Sequence, residues 1–408
     1  MALIVQKFGG TSVADTIRIQ TIAKIILKEY EAGHKLVIVV SAMAGVTNSL
    51  IAKCSEVSQL NSYEHMQEYD AVVGSGEILT TGLVALELQR VGLKARSLQG
   101  WQIPILTDNV FANAQVDSIN SDFIHDLLSE GIIPVITGFQ GVTSKKQLTT
   151  LGKGGSDTTA ALVAAAIGAD RADIYTDVTG VFSADPRVVH DAIKIDYITC
   201  EQMLTLSSYG AKVLHPRAAL AAARYKFDMK ILSSFDDNPG TLISSKNFDM
   251  ESKMEKRLIT AITSNKNIIQ IDITCAPDSF SEVINKFTEE GLIVDKIEIY
   301  AHNKINLIAS LADKNKFQAT LDNLKSISKI LIYDIKSNIS TVTAVGYGIK
   351  NDSGICFDII TLLSNQQIKV KGIDLTETRF TVVLEDQDTE KAIKLLHKHF
   401  RLNNKKDG

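Results

Sequence analysis

The sequence predicts an α/β protein in which a mainly parallel sheet is sandwiched by helices and is followed by two ferredoxin-like modules. Over about the first 245 residues, short continuous apolar runs alternate with amphipathic helical segments, a pattern typical of parallel strands buried on both faces. Beyond that point the order β-α-β-β-α-β occurs twice. A length of 408 residues also exceeds one ordinary core, so two or three domains are expected.

The predicted strands of the first part end where small and polar residues begin. The apolar runs Ala2–Lys7, Lys35–Val40, Ile132–Ile136 and Ile174–Thr176 are the strands, and Thr16–Ala32 carries apolar residues at helical spacing. Gly, Ser, Thr or Asp follows these strands. Ligands of such sheets bind at the carboxyl ends of the strands, so we expect the functional site there.

The second part begins after a polar stretch, Ser244–Lys256, that has the composition of a linker. The first repeat consists of the predicted elements Asn267–Thr274, Ser279–Glu290, Leu292–Ile299, Lys304–Leu311, Asn315–Leu324 and Lys329–Ile335. The second repeat lacks its last strand and consists of Ser340–Val345, Gly354–Asn365, Ile368–Ile373, Arg379–Leu384 and Thr389–His399. One strand, Leu258–Thr263, precedes the first repeat and is available to complete the second, so we predict interleaved modules.

Composition excludes several classes of protein. Hydrophobic residues make up 45% of the chain and charged residues 22%, which is the balance of a folded globular protein. A net charge of −4 provides no general attraction for nucleic acids or anionic membranes, and the apolar stretches are too short to span a bilayer. The four cysteines have no metal-ligand or redox spacing, so reduced structural thiols and a cytoplasmic location are expected.

The segment Lys7–Ser12 directly follows the first strand and contains two adjacent glycines. Glycines allow backbone N–H groups to approach an anion, and Lys7 adds a mobile positive charge beside them. The spacing is not that of a Walker P-loop. Taken alone, this segment is better explained as a solvated lysine before a tight turn.

A second glycine-rich segment, Gly152–Thr159, precedes the alanine-rich helix that starts near Ala160. Its amides lie at a helix N-terminus, where the helix dipole favours negative charge. Asp157 has a structural explanation as a helix N-cap. A cap does not require the surrounding glycines and lysine, so a functional loop is modestly favoured.

Two further segments combine charged residues with turn signals. Tyr175–Arg187 ends a strand and contains Asp185-Pro186, which alone is an ordinary turn. Gly210–Arg217 combines a lysine and an arginine with the punctuation of a helix start. His215 has no evident catalytic partner in the sequence, so it is interpreted as structural.

Together these motifs resemble those of the aspartate kinases. Seven segments occur in the order seen in that family, namely Lys7–Ser12, Val39–Asn48, Gly74–Glu77, Gly152–Thr159, Tyr175–Arg187, Lys212–Arg217 and Pro239–Leu242. The resemblance implies an amino-acid-kinase fold followed by two ACT domains. The predicted boundaries are a catalytic domain over 1–245, a linker over 246–257, a first ACT domain over 264–337, and a second over 258–263 and 338–403.

The resemblance implies transfer of the ATP γ-phosphoryl group to the side-chain carboxylate of L-aspartate, the first step of lysine, threonine, methionine and diaminopimelate biosynthesis. Lys7 and Asp157 match the catalytic lysine and aspartate of the family. The matching ATP-binding positions are Lys7, Phe8, Gly9, Gly10, Thr176, Asp177, Phe182, Asp185, Pro186, Arg187 and Lys212. Mg²⁺ is expected to arrive with ATP, held by phosphates and water and not by a protein cage.

The matching substrate-binding positions are Ser41, Thr47, Glu77, Lys153, Gly154, Gly155 and Ser156. Glu77 suits the substrate ammonium, although a first-turn glutamate also has a purely structural explanation through the helix dipole. Ser41 and Thr47 have one as ordinary loop polarity. Many relatives have arginine where this chain has Lys153, and lysine lacks the planar two-pronged geometry, so weaker affinity for aspartate is expected.

The regulatory half departs further from the family. The first ACT domain usually has Pro-Asp-x-Pro-Gly before its helix, whereas this chain has Pro277–Ser281, and Ile299 replaces a common glutamine. The second module retains Gly354, but the run containing Lys369, Val370 and Leu375 differs. The candidate effector positions are Asp278, Ser281 and Gly354. We therefore expect altered or weakened feedback inhibition by lysine or threonine.

Two alternatives stay open at this point. One is another amino-acid-kinase member acting on acetylglutamate or glutamate, which Glu77 and the paired C-terminal modules disfavour. The other is a non-catalytic amino-acid sensor, which the presence of both Lys7 and Asp157 disfavours. The resemblance further implies a homodimer joined through ACT domains.

Overall fold

The computed structural model describes residues 1–245, 258–301 and 303–403, and the chain divides into two compact units. Unit 1 contains Met1–Phe182 and Lys194–Glu255, and unit 2 contains Ser183–Ile193 and Lys256–Gly408. The sequence predicts a continuous domain over 1–245, whereas Ser183–Ile193 groups with unit 2. The reason is burial, because Ala184 and Val189 lie in the apolar core of that unit. The predicted linker, 246–257, lies outside the described residues.

Unit 1 is built on an eight-stranded sheet. Its strands are β1 (Leu3–Phe8), β2 (Lys35–Val40), β3 (Ala95–Leu98), β6 (Ile133–Thr137), β9 (Arg171–Thr176), β12 (Tyr197–Thr199), β13 (Asp228–Ser233) and β14 (Thr241–Ser244). The spatial order is β12-β14-β13-β9-β1-β2-β6-β3, and every neighbouring pair is parallel except β13 with β14. This confirms the predicted mainly parallel sheet.

Six shorter strands form two smaller sheets in unit 1. A four-stranded sheet has the order β5-β4-β7-β8, with β4 (Ile105–Thr107), β5 (Val116–Ile119), β7 (Gln140–Val142) and β8 (Leu148–Thr150). A two-stranded antiparallel ribbon pairs β10 (Val181–Phe182) with β11 (Lys194–Ile195). Its two strands flank the Ser183–Ile193 segment in sequence.

Several of the eight helices described in unit 1 begin at a side-chain cap. The eight are α1 (Thr16–Glu31), α2 (Val46–Val57), α3 (Tyr63–Val73), α4 (Ser75–Arg90), α5 (Asp122–Ser129), α6 (Gly155–Ile167), α7 (Cys200–Ser208) and α8 (Pro216–Tyr225). Asp15 caps α1 by accepting the Arg18 N–H at 2.8 Å, and Thr199 forms a capping box at the start of α7. The helical stretch Tyr63–Arg90 is long and apolar enough to cross a membrane, but half of its apolar 18-residue window is buried within the protein, as in core helices.

Strand β1 lies at the centre of the unit and positions the site. It pairs with β2 on one side and β9 on the other, and its residues Ile4, Val5 and Phe8 are fully buried. Helix α6 packs against it. Burial on both faces explains the continuous apolar run, and Lys7 interrupts that run near the carboxyl end.

Unit 2 contains the two predicted ferredoxin-like modules. Its elements are β15 (Ile259–Asn265), β16 (Ile268–Cys275), α9 (Phe280–Glu289), β17 (Val294–Ala301), β18 (Lys304–Ser310), α10 (Lys314–Ser326), β19 (Ile330–Lys336), β20 (Ile339–Gly346), α11 (Ser353–Asn365), β21 (Gly372–Leu375), β22 (Arg379–Glu385) and α12 (Thr389–His399). The antiparallel sheets have the orders β17-β18-β16-β19 and β15-β20-β22-β21. Since β15 pairs with β20, the predicted interleaving is confirmed.

One strand prediction in unit 2 was wrong. The sequence predicts a strand over Ile368–Ile373, whereas β21 begins at Gly372. Gln367 has a left-handed backbone with φ +60°, and the apolar side chain of Ile368 fills the core without joining the ladder. Ile368 and Val370 are therefore apolar because they pack in the core of unit 2, whereas Ile373 does pair with Val382 of β22.

Candidate active site

The site begins at the carboxyl end of β1. The Lys7 ammonium lies 2.6 Å from Oδ1 of Asp157, and both side chains are largely buried. Gly10 has to be glycine, because a Cβ there would lie 2.9 Å from the Ala42 carbonyl oxygen. The Gly9 N–H donates to the Tyr175 carbonyl at 3.1 Å. Gly9 thus shapes the turn and does not offer the free amide predicted for a phosphate, whereas Gly10 lines the cleft.

The glycine-rich loop places Asp157 opposite Lys7. Gly152 and Gly154 have φ of +74° and +71°, which glycine adopts without steric cost, and α6 begins at Gly155. Gly154 is the N-cap, so Asp157 is a first-turn residue and not the cap that its structural explanation required. Its second oxygen, Oδ2, accepts the backbone N–H of His215 at 3.3 Å.

Glu77 is the buried acid of the site. It lies in the first turn of α4 and is 3% exposed. Its Oε1 accepts the Ala42 N–H at 3.0 Å, whereas Oε2 is buried and has no hydrogen-bond partner within the described part of the chain. Burial raises the pKa of Glu77 to about 7, and the hydrogen bond from Ala42 opposes that rise only in part.

These residues share one cleft of about 360 Å³. Among the predicted residues it is lined by Lys7, Gly10, Ser41, Thr47, Glu77, Lys153, Gly154, Gly155, Ser156 and Asp157. Seven further residues line the cleft but were not predicted as ligand contacts from the sequence, namely Ala42, Met43, Ala44, Gly45, Asn48, Phe139 and Gly152. The cleft therefore joins a paired cation, a helix N-terminus and a buried carboxylate, which suits a small zwitterion beside a phosphate.

Phe139 is a cleft residue that sequence reasoning missed. Its φ is +69°, a rare conformation for a bulky side chain, and its N–H donates to the Thr159 hydroxyl at 3.1 Å. Its ring packs so closely on Gly155 that a Cβ there would lie 2.7 Å from the ring. The available signal was its position in Thr137-Gly138-Phe139, directly after a strand.

The predicted nucleotide-binding residues are distributed over several elements. Phe8 is buried in β1, and Thr176 ends the neighbouring strand β9, followed by the exposed Asp177. Phe182 ends β10, and Lys212 is exposed between α7 and α8. None of these five residues lines the cleft.

The remaining nucleotide candidates, Asp185, Pro186 and Arg187, are exposed residues of unit 2. The Arg187 guanidinium binds the Asp185 carboxylate, with an Nη2–Oδ2 distance of 2.7 Å. Among the effector candidates, Asp278 is exposed with φ +57°, and Ser281 is exposed in the first turn of α9. The Gly354 N–H donates to the Asp352 carboxylate that caps α11.

Comparison with known proteins identifies the family. The profile of the amino acid kinase family matches residues 2–233, and an ACT domain profile matches residues 342–400. The aspartokinase of Rickettsia felis is 47% identical over 405 residues, covering 99% of this chain and 100% of that protein. Aspartokinase 2 of Bacillus subtilis is 36% identical over 410 residues, covering 99% and 98%.

A solved structure supports the same assignment. Escherichia coli aspartokinase III in complex with aspartate and ADP, in its R-state, matches with a TM-score of 0.83 and 25% identity. The match covers 97% of this chain and 99% of that one. From the fold, the order of motifs and these relatives, the chain belongs to the aspartokinase family.

Proposed function

We propose that this protein is an aspartate kinase, which transfers the γ-phosphoryl group of ATP to the β-carboxylate of L-aspartate and gives 4-phospho-L-aspartate. The observation that carries the proposal is the Lys7–Asp157 ion pair in the same cleft as the buried Glu77. The product would enter lysine, threonine, methionine and diaminopimelate biosynthesis. Full-length relatives named aspartokinase support this function.

Lys7 is the residue that lowers the barrier to phosphoryl transfer. The attacking carboxylate and the γ-phosphate are both anionic, so bringing them into line requires a positive charge between or beside them. The Lys7 ammonium supplies it, and Asp157 holds that ammonium at 2.6 Å. Gly10 lines the cleft beside Lys7, and its lack of a Cβ lets the Ala42–Ala44 backbone pack against it.

The other part of the cleft binds the amino acid. Glu77, once ionised, accepts hydrogen bonds from the substrate ammonium through its unpaired Oε2. Lys153, Gly154, Gly155 and Ser156 lie at the N-terminus of α6, where amides and the helix dipole favour the substrate α-carboxylate. Ser41 and Thr47 complete the lining.

ATP and Mg²⁺ are the cosubstrate and its metal ion. E. coli aspartokinase III binds ADP, and we assign the adenine nucleotide in this chain to the carboxyl ends of β1 and β9, where Thr176 ends β9 and Asp177 follows it. The Asp157 carboxylate beside Lys7 can add one oxygen ligand, which suits an Mg²⁺ ion held mainly by phosphates and water. Bound to phosphate oxygens, Mg²⁺ neutralises charge on ATP.

The decisive assay is formation of acyl phosphate from ATP and L-aspartate, trapped by hydroxylamine. We expect aspartate hydroxamate from the natural protein and a loss of about 10³-fold in kcat for Lys7→Ala, since the charge acts mainly in the transition state. The matched control is Lys24→Ala, which removes an exposed lysine from α1 and leaves the rate unchanged.

The same assay tests the alternatives. Product from glutamate or acetylglutamate, with none from aspartate, would keep the fold and overturn the substrate. No product from any of the three, together with binding of an amino acid to unit 2, would favour the non-catalytic sensor.

The C-terminal half is proposed to be regulatory. We assign residues 1–245 to the catalytic domain, apart from Ser183–Ile193, which groups with unit 2. We assign 264–337 to the first ACT domain, and 258–263 with 338–403 to the second. Lysine and threonine are the candidate effectors, with altered sensitivity, and the protein is proposed to act as a cytoplasmic homodimer joined through its ACT domains.

A further inference from the structure

The N-terminus of α8 is built against the glycine-rich loop. The backbone of Gly154 lies directly under the side chain of His215, because a Cβ added to Gly154 would lie 2.3 Å from His215 Cγ and 2.4 Å from Cδ2. Such distances do not occur between real atoms, so the imidazole fills the space that any side chain at Gly154 would need. The path of the loop and the position of this ring are therefore mutually dependent.

Arg217 holds the preceding part of the same loop. Its Nη1 donates to the Leu151 carbonyl at 2.8 Å and its Nη2 donates to the Ala114 carbonyl at 3.0 Å. The guanidinium is half-buried, and burial lowers the pKa of Arg217 from its usual value, which still leaves it charged at neutral pH. A planar fork that satisfies two carbonyls from separate segments fixes the spacing between them.

A third contact reaches the catalytic aspartate. The backbone N–H of His215 donates to Asp157 Oδ2 at 3.3 Å, while Asp157 Oδ1 faces the Lys7 ammonium. This contact uses the main chain, so it survives substitution of the His215 side chain. The imidazole itself has a separate partner, because its Nδ1 accepts the Arg217 N–H at 3.4 Å and caps α8.

We propose that His215 and Arg217 are positioning residues of the aspartate subsite, which set the path of residues 151–156 from α8. The proposal rests on the assignment of Lys153–Ser156 to the substrate carboxylate. The loop contains three glycines, whose backbone freedom gives it little intrinsic preference for one path. Packing of the imidazole on Gly154 and the hydrogen bonds from Arg217 to two carbonyls replace that missing preference.

The two functions of the His215 side chain are separable by substitution. His215→Asn keeps a good N-cap oxygen for α8 but removes the ring from Gly154. His215→Phe keeps a planar ring over Gly154 but removes the cap. Neither change removes the backbone N–H that Asp157 accepts.

The experiment measures kcat, KM for aspartate and the thermal midpoint in the full-length protein. For His215→Asn we expect KM for aspartate to rise about tenfold with kcat within about threefold, since a displaced binding loop weakens ground-state and transition-state binding alike. The thermal midpoint should stay near that of the natural protein. For His215→Phe we expect the reverse, a lowered midpoint with KM closer to the natural value.

The variant Arg217→Lys tests the proposal independently. Lysine keeps the charge but cannot donate to both carbonyls in one plane, so KM for aspartate should again rise several-fold. If KM is unchanged in His215→Asn and Arg217→Lys while only the thermal midpoint falls, both residues are merely structural and the proposal is overturned. Failure of the proposed function is distinguishable, because the natural protein would then give no aspartate hydroxamate in the first place.

Discussion

The charge of Glu77 is set by the burial of its carboxylate in unit 1. Burial raises its pKa to about 7, and the ligand-free protein therefore holds a mixture of protonated and ionised Glu77 at neutral pH. Only the ionised form attracts an ammonium group. Substrate binding should release a proton from this residue in the lower part of the physiological range.

We predict that KM for aspartate falls as the pH rises from about 6 to about 8, because ionised Glu77 becomes the main form. Glu77→Gln should raise KM by about 10²-fold and remove this pH dependence. The measurement is a KM profile against pH, with the exposed Glu68→Gln on α3 as the control. A pH dependence retained in Glu77→Gln would assign the titration to another group.

The raised pKa of Glu77 also makes the free energy of unfolding depend on pH. The native pKa of Glu77 lies above its ordinary value of 4.5, so the native protein binds more protons than the unfolded chain between those values. Stability from this group is present at low pH and is lost as the pH rises through about 7. Above about pH 8, Glu77→Gln should therefore gain on the order of 3 kcal/mol relative to the ligand-free natural protein, measured by urea unfolding.

At the scale of elements, Asp70 joins α3 to the small four-stranded sheet. Its carboxylate is fully buried and accepts the Ala112 N–H, the Thr150 N–H and the Thr150 hydroxyl at 2.7–3.0 Å. These bonds connect a helix with the segment around Ala112 and with Thr150, which directly precedes the glycine-rich loop. A buried carboxylate is tolerated there because several donors surround it.

We expect Asp70→Ala to lower the free energy of unfolding by about 3 kcal/mol, since three buried donors lose their acceptor. Urea unfolding followed by far-UV circular dichroism measures the loss. Asp126→Ala, at an exposed position of α5, is the matched control and should cost less than about 0.5 kcal/mol. Equal losses in the two variants would contradict the role given to Asp70.

The helices and strands differ in how well the sequence predicts them. The six-residue strands β1 and β2 were predictable because burial on both faces leaves a mainly apolar run in each. Strands β4, β7 and β8 are only three residues long, so they carry no periodicity, and their pairing depends on segments elsewhere in the chain. The start of α8 was visible in Pro216, but its contact with Gly154 was not.

The site was predictable only in part for a similar reason. Lys7 and Asp157 are far apart in sequence, and the motifs suggested their roles through resemblance alone. Their 2.6 Å contact follows from α6 packing against β1, which no local pattern encodes. Ser183–Ile193 belongs to unit 2 although its neighbours in sequence belong to unit 1. A segment that changes unit in this way could not be predicted, because nothing in the local sequence marks the change.

At the scale of the whole molecule, the proposed regulatory role of the C-terminal half can be tested by measuring the response to effectors. By the resemblance to the aspartate kinases, the Pro277–Ser281 segment lacks the second proline and the glycine of the usual pattern, and Ile299, an exposed apolar residue, takes the place of a glutamine. We predict weak, non-cooperative inhibition by lysine and threonine, because polar recognition groups have been lost. Titration of kinase activity with each amino acid measures it. Tight and cooperative inhibition at low concentration would contradict the prediction.

The pairing of β15 with β20 has a further consequence for the organisation of unit 2. Asn265, at the end of β15, lies opposite Thr341 in β20, so the chain leaves and re-enters the outer sheet at adjacent positions. Residues 266–338 are thus an insertion between two neighbouring antiparallel strands, and a tight turn would span the same gap. During synthesis, the inserted module is complete before β20 has been made. The module that contains β15 therefore closes after the inserted one.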